Sequence, residues 1–229
     1  MLRKLVITID GPSGAGKSTI SQLLAERLNY IYVDTGALYR IVALKVKQEE
    51  IDPDNEEALY SICSGLDVSF KQQNGKLRVI LEGRDVTEEI RTPEMSLLAS
   101  RVSAKKVVRD ALLGIQKKFG EDGGIVVEGR DMGTVVFPQA ELKFFLDASL
   151  ETRGERRFKQ YLEKGKTFDR NQIIREIEKR DLDDSKRVLS PLKPADGAIV
   201  IDSTKTGIEE VVAEMLKEIQ QHLPNFQNK

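Results

Sequence analysis

The chain has very little of the residues on which several common chemistries depend. Of its 229 residues, one is cysteine (Cys63) and one is histidine (His222), and there is no tryptophan. A single cysteine excludes an internal disulfide and a cysteine-cluster metal site. A single histidine near the C-terminus argues against a histidine metal centre or a histidine-based triad. Any catalysis must therefore depend on lysine, arginine, carboxylate or hydroxyl groups, or on a bound metal ion.

Long apolar runs are absent as well. No run approaches the roughly 18 residues that a membrane span needs. The apolar run after Lys4 is too short to be the apolar core of a signal peptide. We therefore expect a cytoplasmic protein. The 36 basic and 37 acidic residues give a net charge of −1, which does not indicate binding to nucleic acid or to a membrane.

Short apolar segments alternate with helical patterns along most of the chain. The segments that we predict as strands are 5–10, 30–33, 125–128, 142–147 and 198–202. This alternation predicts an α/β fold in which helices cover both faces of a parallel sheet.

Two regions depart from this alternation. From 66 to about 92, apolar and polar residues alternate on either side of Asn74-Gly75, which predicts a small β insertion built on a hairpin. A third short strand is expected at 85–87, and one or two helices between 97 and 118. Residues 151–190 carry twelve Lys or Arg against nine Asp or Glu, a local excess of basic residues.

A glycine-rich motif lies between the first predicted strand and a helical pattern. Residues 11–18 match G-x-x-x-x-G-K-[ST] at every position. Glycines allow backbone N–H groups to face phosphate oxygens, and the following helix presents its N-terminus to the anion. Lys17 can reach the β and γ phosphates, and the Ser18 hydroxyl can bind Mg²⁺. An incidental glycine-rich turn is the alternative, but the flanking strand and helix oppose it.

This motif predicts a nucleoside-triphosphate site but does not name the reaction. The D-x-x-G and N-K-x-D strings of translational-type GTPases are absent from the sequence, and so is the LSGGQ string of ABC-type ATPases. A small-molecule kinase is therefore the leading class. The residues that we predict to bind ATP are Gly11, Pro12, Ser13, Gly14, Ala15, Gly16, Lys17, Ser18 and Thr19.

Two further segments follow predicted strands, at the sheet edge where open α/β sheets bind ligands. In segment 34–40, Arg40 can grip a phosphate and Asp34 can hold the hydration shell of Mg²⁺. The alternative is that Asp34 or Thr35 caps the next helix and that Arg40 lies on the surface. Segment 128–134 places an Arg-Asp pair between two glycines. The alternative to ligand binding is that this pair is a structural ion pair in a loop.

These segments resemble those of the bacterial cytidylate (CMP) kinases. The resemblance runs from about residue 4 to about residue 220, and its most specific string is Gly129-Arg130-Asp131-Met132-Gly133-Thr134-Val135-Val136-Phe137-Pro138. The other matching strings are 9–18, 34–40, 81–83, 89–92, 145–149 and 201–204.

The resemblance implies a P-loop nucleoside-monophosphate (NMP) kinase fold. Such a fold has a five-stranded parallel core sheet flanked by helices, a small antiparallel β insertion in its NMP-binding region, and an arginine-rich lid. On this pattern 1–229 forms a single kinase domain. Its core covers about 1–40, 105–150 and 190–222, its NMP-binding region about 41–104, and its lid about 151–189.

The family pattern also implies roles for individual residues. Ser100, Arg109 and Asp131 resemble the cytosine-reading group, since a carboxylate accepts from the N4 amino group of cytosine and repels the acceptor of uracil. Arg40 and Arg130 resemble the grips on the monophosphate, Arg180 and Asp184 the sugar-binding pair, and Arg187 a further phosphate contact. The CMP-binding set is Thr35, Tyr39, Arg40, Ser100, Arg109, Arg130, Asp131, Arg180, Asp184 and Arg187.

Structural alternatives exist for several of these positions. Arg180 and Asp184 are four residues apart and could form a surface helix pair. Ser100 could bond within its own helix, and Arg109 could be an exposed residue beside Asp110. Arg153, Arg156 and Arg157 lie in the lid position of the pattern. The predicted catalytic residues are Lys17, Arg130, Arg153 and Arg157, and the predicted metal ligands are Ser18 and Asp34.

The predicted reaction is transfer of the ATP γ-phosphoryl group to CMP, and also to dCMP, with Mg²⁺ as cofactor. Its substrates are the expected partners of a monomer that binds neither nucleic acid nor membrane. The alternative within the same class is a P-loop kinase for another small acceptor such as UMP. The alternative from another class is a nucleotide-regulated RNA-binding protein that uses 151–190, which the net charge disfavours.

Overall fold

The computed structural model describes residues 4–73, 76–163, 165 and 168–222. The strands are β1 (Val6–Asp10), β2 (Ile31–Asp34), β3 (Val68–Gln73), β4 (Lys76–Leu81), β5 (Arg84–Asp85), β6 (Ile125–Gly129), β7 (Leu142–Asp147) and β8 (Ile199–Asp202). The α-helices are α1 (Lys17–Leu28), α2 (Thr35–Gln48), α3 (Glu56–Ser64), α4 (Pro93–Ser103), α5 (Lys106–Lys118), α6 (Leu150–Glu163), α7 (Arg170–Lys186) and α8 (Ile208–His222).

The chain divides into two units. The first comprises 1–33 and 119–229, and the second comprises 34–118. The second contains all of the predicted NMP-binding region 41–104 and extends beyond it at both ends.

The larger sheet has five strands in the order β2-β6-β1-β7-β8. Strand β1 runs parallel to both β6 and β7, and β7 runs parallel to β8. The predicted five-stranded parallel core is therefore confirmed. Strands β1 and β6 are rich in β-branched residues, as is typical of strands that are covered on both faces. Ile7, Ile9 and Val126 have no exposed surface, and full burial of such a side chain stabilises the fold by about 1.5–3 kcal/mol.

The register of the sheet positions the loops that follow β1 and β6. Asp10, the last residue of β1, pairs with Gly129, the last residue of β6. The glycine-rich motif and the Arg130-Asp131 segment therefore leave the sheet side by side. Helix α1 begins at Lys17, within the motif, and packs against β6 and α8.

Helices α6 and α7 contain the basic region and pack against each other within the first unit. A Cβ atom on Gly154 would lie 2.6 Å from Ile174 Cγ1, so the helices approach closely at this point. The rings of Tyr161 and Phe168 lie 4.4 Å apart between centroids, where α6 ends and the chain turns toward α7. Lys164 and Lys166 of the basic region lie outside the described residues.

In the second unit, helix α2 packs against α4, and α3 packs against α5. Strands β3, β4 and β5 form an antiparallel sheet, which confirms the predicted β insertion. The third strand is Arg84–Asp85, one residue earlier than predicted. The predicted turn residues Asn74 and Gly75 lie outside the described residues. The helices and the small sheet share an apolar core whose buried members include Ile41, Leu44, Val79, Ile90 and Met95.

No helix among the residues that the structure describes is long and apolar enough to span a membrane. The side chain of His222, which ends α8, lies outside the described part of the chain.

Candidate active site

The glycine-rich motif forms a tight loop between β1 and α1. Gly11 has φ 148°, and a Cβ atom there would lie 2.0 Å from the carbonyl oxygen of Leu146, so only glycine fits. Gly16 precedes α1 at φ 97°. Because glycine has no side chain with which to cap the helix, the N–H groups of the first turn stay available to an anionic ligand.

Lys17 occupies the first turn of α1 and is 6% exposed. Its Nζ donates to the carbonyl oxygen of Pro12 at 2.7 Å, so the side chain folds back over the loop. Burial, and then the positive charge of Arg130, lower the pKa of Lys17 to about 7, while Glu128 opposes the shift. A bound polyphosphate would favour the charged ammonium through direct Coulomb attraction.

Two buried carboxylates end the strands beside the loop. Asp10 ends β1 and accepts hydrogen bonds from the backbone N–H groups of Met132 at 2.9 Å and Gly133 at 2.8 Å. Glu128, in β6, accepts a short hydrogen bond from the hydroxyl of Tyr32. Sequence reasoning assigned no role to Asp10 or Tyr32. For Asp10 the local signal is a polar residue at the end of an apolar strand, whereas no local signal marks Tyr32.

The Arg130-Asp131 segment continues into an unusual turn. Residues Met132–Val136 form one π-helical turn, in which the N–H groups of Val135 and Val136 both donate to the carbonyl oxygen of Asp131. Asp131 is 3% exposed. The periodicity of the sequence gave no indication of this turn. π-Helical turns are rare, and they occur frequently at functional sites.

Asp184 is the centre of an arginine cluster in the first unit. Its side chain is 1% exposed, and it accepts from Arg130 Nε at 2.9 Å and forms a short ion pair with Arg187. Arg180 Nε lies 4.0 Å from the same carboxylate. Burial alone would raise the pKa of Asp184, but Arg130, Arg187 and Arg180 together hold it below its usual range. Three guanidinium groups thus converge on this carboxylate, and clustered arginines of this kind are suited to binding a phosphate.

This cluster contradicts the surface-pair alternative for Arg180 and Asp184. An exposed pair four residues apart on a helix would leave both side chains in water. Instead Asp184 is buried, and its well-formed hydrogen bond comes from Arg130, which is 54 residues away in the chain. The structure therefore brings together four of the predicted CMP-binding residues: Arg130, Arg180, Asp184 and Arg187.

The arginines of α6 divide into two groups. Arg153 donates to the carbonyl oxygen of Ser13 at 3.1 Å and pairs with Asp181. Arg156 donates to the carbonyl oxygen of Ala15 at 3.2 Å and to that of Ser203 at 2.6 Å. Both guanidinium groups therefore hold the phosphate-binding loop in its observed conformation.

Arg157 belongs to the other group. Its guanidinium lies 5.1 Å from the centroid of the Tyr161 ring, and its Nε donates to the hydroxyl of that tyrosine at 3.3 Å. Arg156 is absent from the predicted catalytic residues, although it contacts the loop. Ser203 was not singled out as a site residue. Only the fold brings Ser203 to Ala15, 188 residues away.

In the second unit, Asp34 caps helix α2. Its Oδ1 accepts from the N–H of Ala37 at 3.2 Å, and its Oδ2 pairs with Arg40 at 2.7 Å. The capping alternative for Asp34 is therefore observed, but Arg40 is only partly exposed and faces a carboxylate. Thr35 is buried in the first turn of the helix.

The second unit also brings Arg109 against Tyr39 and Ser103. The guanidinium of Arg109 lies 5.7 Å from the centroid of the Tyr39 ring, and its NH1 donates to the carbonyl oxygen of Ser103 at 3.0 Å. The hydroxyl of Ser103 donates in turn to the carbonyl oxygen of Ser100 at 2.9 Å. Arg109 is only partly exposed, so the alternative that it is an exposed residue beside Asp110 is wrong.

The residues that could bind a metal ion suit an ion whose other ligands are phosphate oxygens of the substrate. Ser18 is exposed at the start of α1, and a hard oxygen donor at this place fits Mg²⁺. Both oxygens of Asp34 already have partners, so that carboxylate would have to act through water. The described residues contain no cluster of three or more His, Cys, Asp or Glu that could hold a metal. Mg²⁺ usually binds through few protein ligands and the substrate phosphates, which agrees with this arrangement.

Comparison with known proteins gives one consistent result. The cytidylate kinase family model matches residues 7–221. A cytidylate kinase of Syntrophotalea carbinolica is 49% identical over 95% of this chain and 92% of its own length. One of Geobacter sulfurreducens is 51% identical over 93% and 91%, and one of Pasteurella multocida is 48% identical over 97% and 98%.

Among solved structures, a gluconokinase from Sinorhizobium meliloti aligns with a TM-score of 0.50 at 16% identity, over 97% of this chain and 95% of its own. That likeness concerns the fold alone. The match of the family model to nearly the whole chain, and relatives of about half identity over their full length, decide the family: the chain belongs to the cytidylate kinases.

Proposed function

We propose that the protein transfers the γ-phosphoryl group of ATP to CMP and releases ADP and CDP. The observation that carries this proposal is the pairing of two anion sites in the first unit. The glycine-rich loop with Lys17 is suited to a triphosphate, and the Asp184 cluster with Arg130 is suited to a second phosphate. All three of the cited relatives are cytidylate kinases, so a UMP-specific enzyme is not favoured.

The chain itself would act by positioning and by neutralising charge. The loop N–H groups hold the triphosphate, and Lys17 neutralises charge on its β and γ phosphates. The CMP phosphate is already anionic at neutral pH, so attack on the γ-phosphorus requires no general base. Arg130 holds the attacking phosphate in line, and we assign Arg153 and Arg157 to charge neutralisation during transfer. A bound Mg²⁺, which Ser18 would help to hold, would neutralise further phosphate charge.

Arg153 has a second role in this proposal. Its contact with the Ser13 carbonyl oxygen fixes the loop before nucleotide binds. Arg156, through Ala15 and Ser203, does the same from one turn further along α6. We therefore add Arg156 to the residues that position ATP.

The proposed recognition of CMP uses the residues that the family resemblance implies. They are Thr35, Tyr39, Arg40, Ser100, Arg109, Arg130, Asp131, Arg180, Asp184 and Arg187. Asp131 supplies the carboxylate that accepts from the cytosine amino group, and Arg109 and Ser100 bind the rest of the base edge.

Three finer points complete the proposal. Deoxy-CMP is accepted as well as CMP, the protein acts as a monomer, and it acts in the cytoplasm. Equal turnover of dCMP and CMP would show that the proposed contact of Asp184 with the sugar does not discriminate between ribose and deoxyribose.

The recognition of cytosine is tested by Asp131→Ala. Loss of the carboxylate should raise the KM for CMP and reduce the preference for CMP over UMP by at least about tenfold, and should leave the KM for ATP nearly unchanged. Asp122→Ala, at an exposed turn of the same unit, is the matched control. A variant that keeps the wild-type preference would show that another group reads the base.

A further inference from the structure

Asp10 ends the central strand β1, directly before the phosphate-binding loop, yet its side chain serves a different segment. It is 3% exposed. Its two carboxylate oxygens accept one hydrogen bond each, from the N–H of Met132 at 2.9 Å and from that of Gly133 at 2.8 Å. These donors lie more than 120 residues away in the chain, and they directly follow the Arg130-Asp131 pair.

The two N–H groups are the first of the π-helical turn Met132–Val136. Such groups need an acceptor from outside the turn, and the residue preceding a helix commonly supplies it. That residue is Asp131, but its side chain makes no capping hydrogen bond to the described turn. The carboxylate of Asp10 takes this role from strand β1.

The turn is also packed tightly against the sheet. A Cβ atom on Gly133 would lie 3.0 Å from Thr8 Oγ1 and 3.1 Å from the Cβ of Ala195. The backbone of the segment is therefore held by close contact with Thr8 and Ala195 and by the two hydrogen bonds to Asp10. Burial is the main cause that raises the pKa of Asp10, to about 6, although both N–H groups oppose the shift. The two N–H groups thus stabilise the ionised form of a carboxylate whose charge is disfavoured by burial.

We propose that Asp10 is a positioning residue for CMP recognition. It fixes the backbone of residues 130–133, and thereby the positions from which Arg130 reaches the Asp184 cluster and Asp131 contacts the base. This inference rests on the proposed function, since it assumes that Arg130 and Asp131 contact CMP. It adds a link between the strand that carries the ATP loop and the segment that selects the acceptor.

The test is Asp10→Asn. Asparagine has one acceptor oxygen, and its NH₂ group would face the second N–H group, so one of the two hydrogen bonds is lost and a donor opposes a donor. We expect the KM for CMP to rise by about tenfold or more and the KM for ATP to stay within about threefold of wild type. A folded variant whose KM for CMP is unchanged would overturn the inference, and so would equal increases for both substrates.

Asp147→Asn is the matched control. Asp147 ends the adjacent parallel strand β7, and its carboxylate accepts from the N–H of Ala148 instead of from the turn. Both KM values should stay at wild-type levels in this variant. If Asp147→Asn raised the KM for CMP as much as Asp10→Asn does, the effect would belong to any strand-end carboxylate and the inference would be wrong.

An assay of the wild-type protein distinguishes failure of the proposed function from failure of the proposed role of Asp10. If the unaltered enzyme does not phosphorylate CMP, the proposed function fails whatever Asp10 does. If it prefers CMP and Asp10→Asn behaves as wild type, only the role of Asp10 fails.

If the Asp10→Asn variant does not fold, hydrogen exchange of the wild-type protein still tests the inference. The amides of Met132 and Gly133 should exchange with deuterium far more slowly than unprotected amides, because a buried carboxylate holds them. Exchange at the unprotected rate would overturn the inference.

Discussion

Replacing Asp184 by asparagine should destabilise the protein strongly and make it dependent on anions. The substitution keeps the size of the side chain but removes the negative charge on which Arg130, Arg180 and Arg187 converge. The side chain of Asp184 is 1% exposed, and those of the three arginines are 19%, 26% and 9% exposed. The arginines would therefore stay together, partly desolvated and without their shared counter-charge.

The magnitude follows from burial. Removing one partner of a buried ion pair costs about 3–5 kcal/mol. Because the arginines retain some contact with water, we take the lower end, about 3 kcal/mol. In a protein of this size about 1 kcal/mol corresponds to roughly 2–4 °C in Tm. The midpoint should then fall by about 6–12 °C, measured by circular dichroism at pH 7.

The control and the rescue make this prediction specific. Asp183→Asn changes an exposed neighbour on the same helix and should shift stability by no more than about 0.5 kcal/mol. Millimolar inorganic phosphate should raise the Tm of the Asp184→Asn variant more than that of wild type, because the anion replaces the missing charge. A fall of less than about 2 °C, or a phosphate response equal to that of wild type, would refute the reasoning.

Three further predictions concern the loop and its surroundings. Lys17→Ala should abolish phosphoryl transfer and leave the protein folded, and near-normal turnover would remove Lys17 from the catalytic residues. Gly11→Ala should cost about 3 kcal/mol in urea unfolding because its Cβ would lie 2.0 Å from a backbone oxygen, whereas Gly114→Ala, in an open helix position, should be neutral or stabilising. Because the pKa of Asp10 is raised from 3.8 to about 6, the folded state binds its proton more tightly than the unfolded state. Wild type should therefore lose about 3 kcal/mol relative to Asp10→Asn as the pH rises from about 3 to about 7, with most of the loss between pH 4 and pH 6, and parallel pH profiles would contradict this.

The sheet and the phosphate loop could be predicted from sequence because their signals are local. Buried parallel strands read as short apolar runs, and four of the five predicted strands of the large sheet differ from the observed ones by one residue at one or both ends. The loop matched its motif because each position has its own geometric requirement. The small antiparallel sheet was predicted from alternation around a turn, which is also a local pattern.

The contacts that organise the candidate site were not predictable in the same way. The i,i+4 spacing of Arg180 and Asp184 indicated a surface pair, whereas the fold buries Asp184 against Arg130, 54 residues away. Arg156 reaches Ala15 and Ser203 only because α6 lies beside the loop. Such partners share no sequence neighbourhood, so neither spacing nor composition records them.

The roles of individual side chains had a different source. The assignment of Ser100, Arg109 and Asp131 to cytosine came from the resemblance to a family, and it stays a prediction. The structure adds that Arg109 lies over Tyr39 and donates to Ser103. Ser103 was absent from the predicted set because a serine within a helix usually bonds to its own backbone, and this one does so as well.

The central claim is that CMP is the preferred phosphoryl acceptor. The most direct test is a coupled assay of ADP release with MgATP and, in turn, CMP, dCMP, UMP, AMP, GMP and shikimate. We expect the highest kcat/KM with CMP or dCMP and at least about tenfold less with UMP, since a carboxylate repels the acceptor oxygen of uracil. Turnover only with another acceptor, or ADP release that no acceptor increases, would contradict the account.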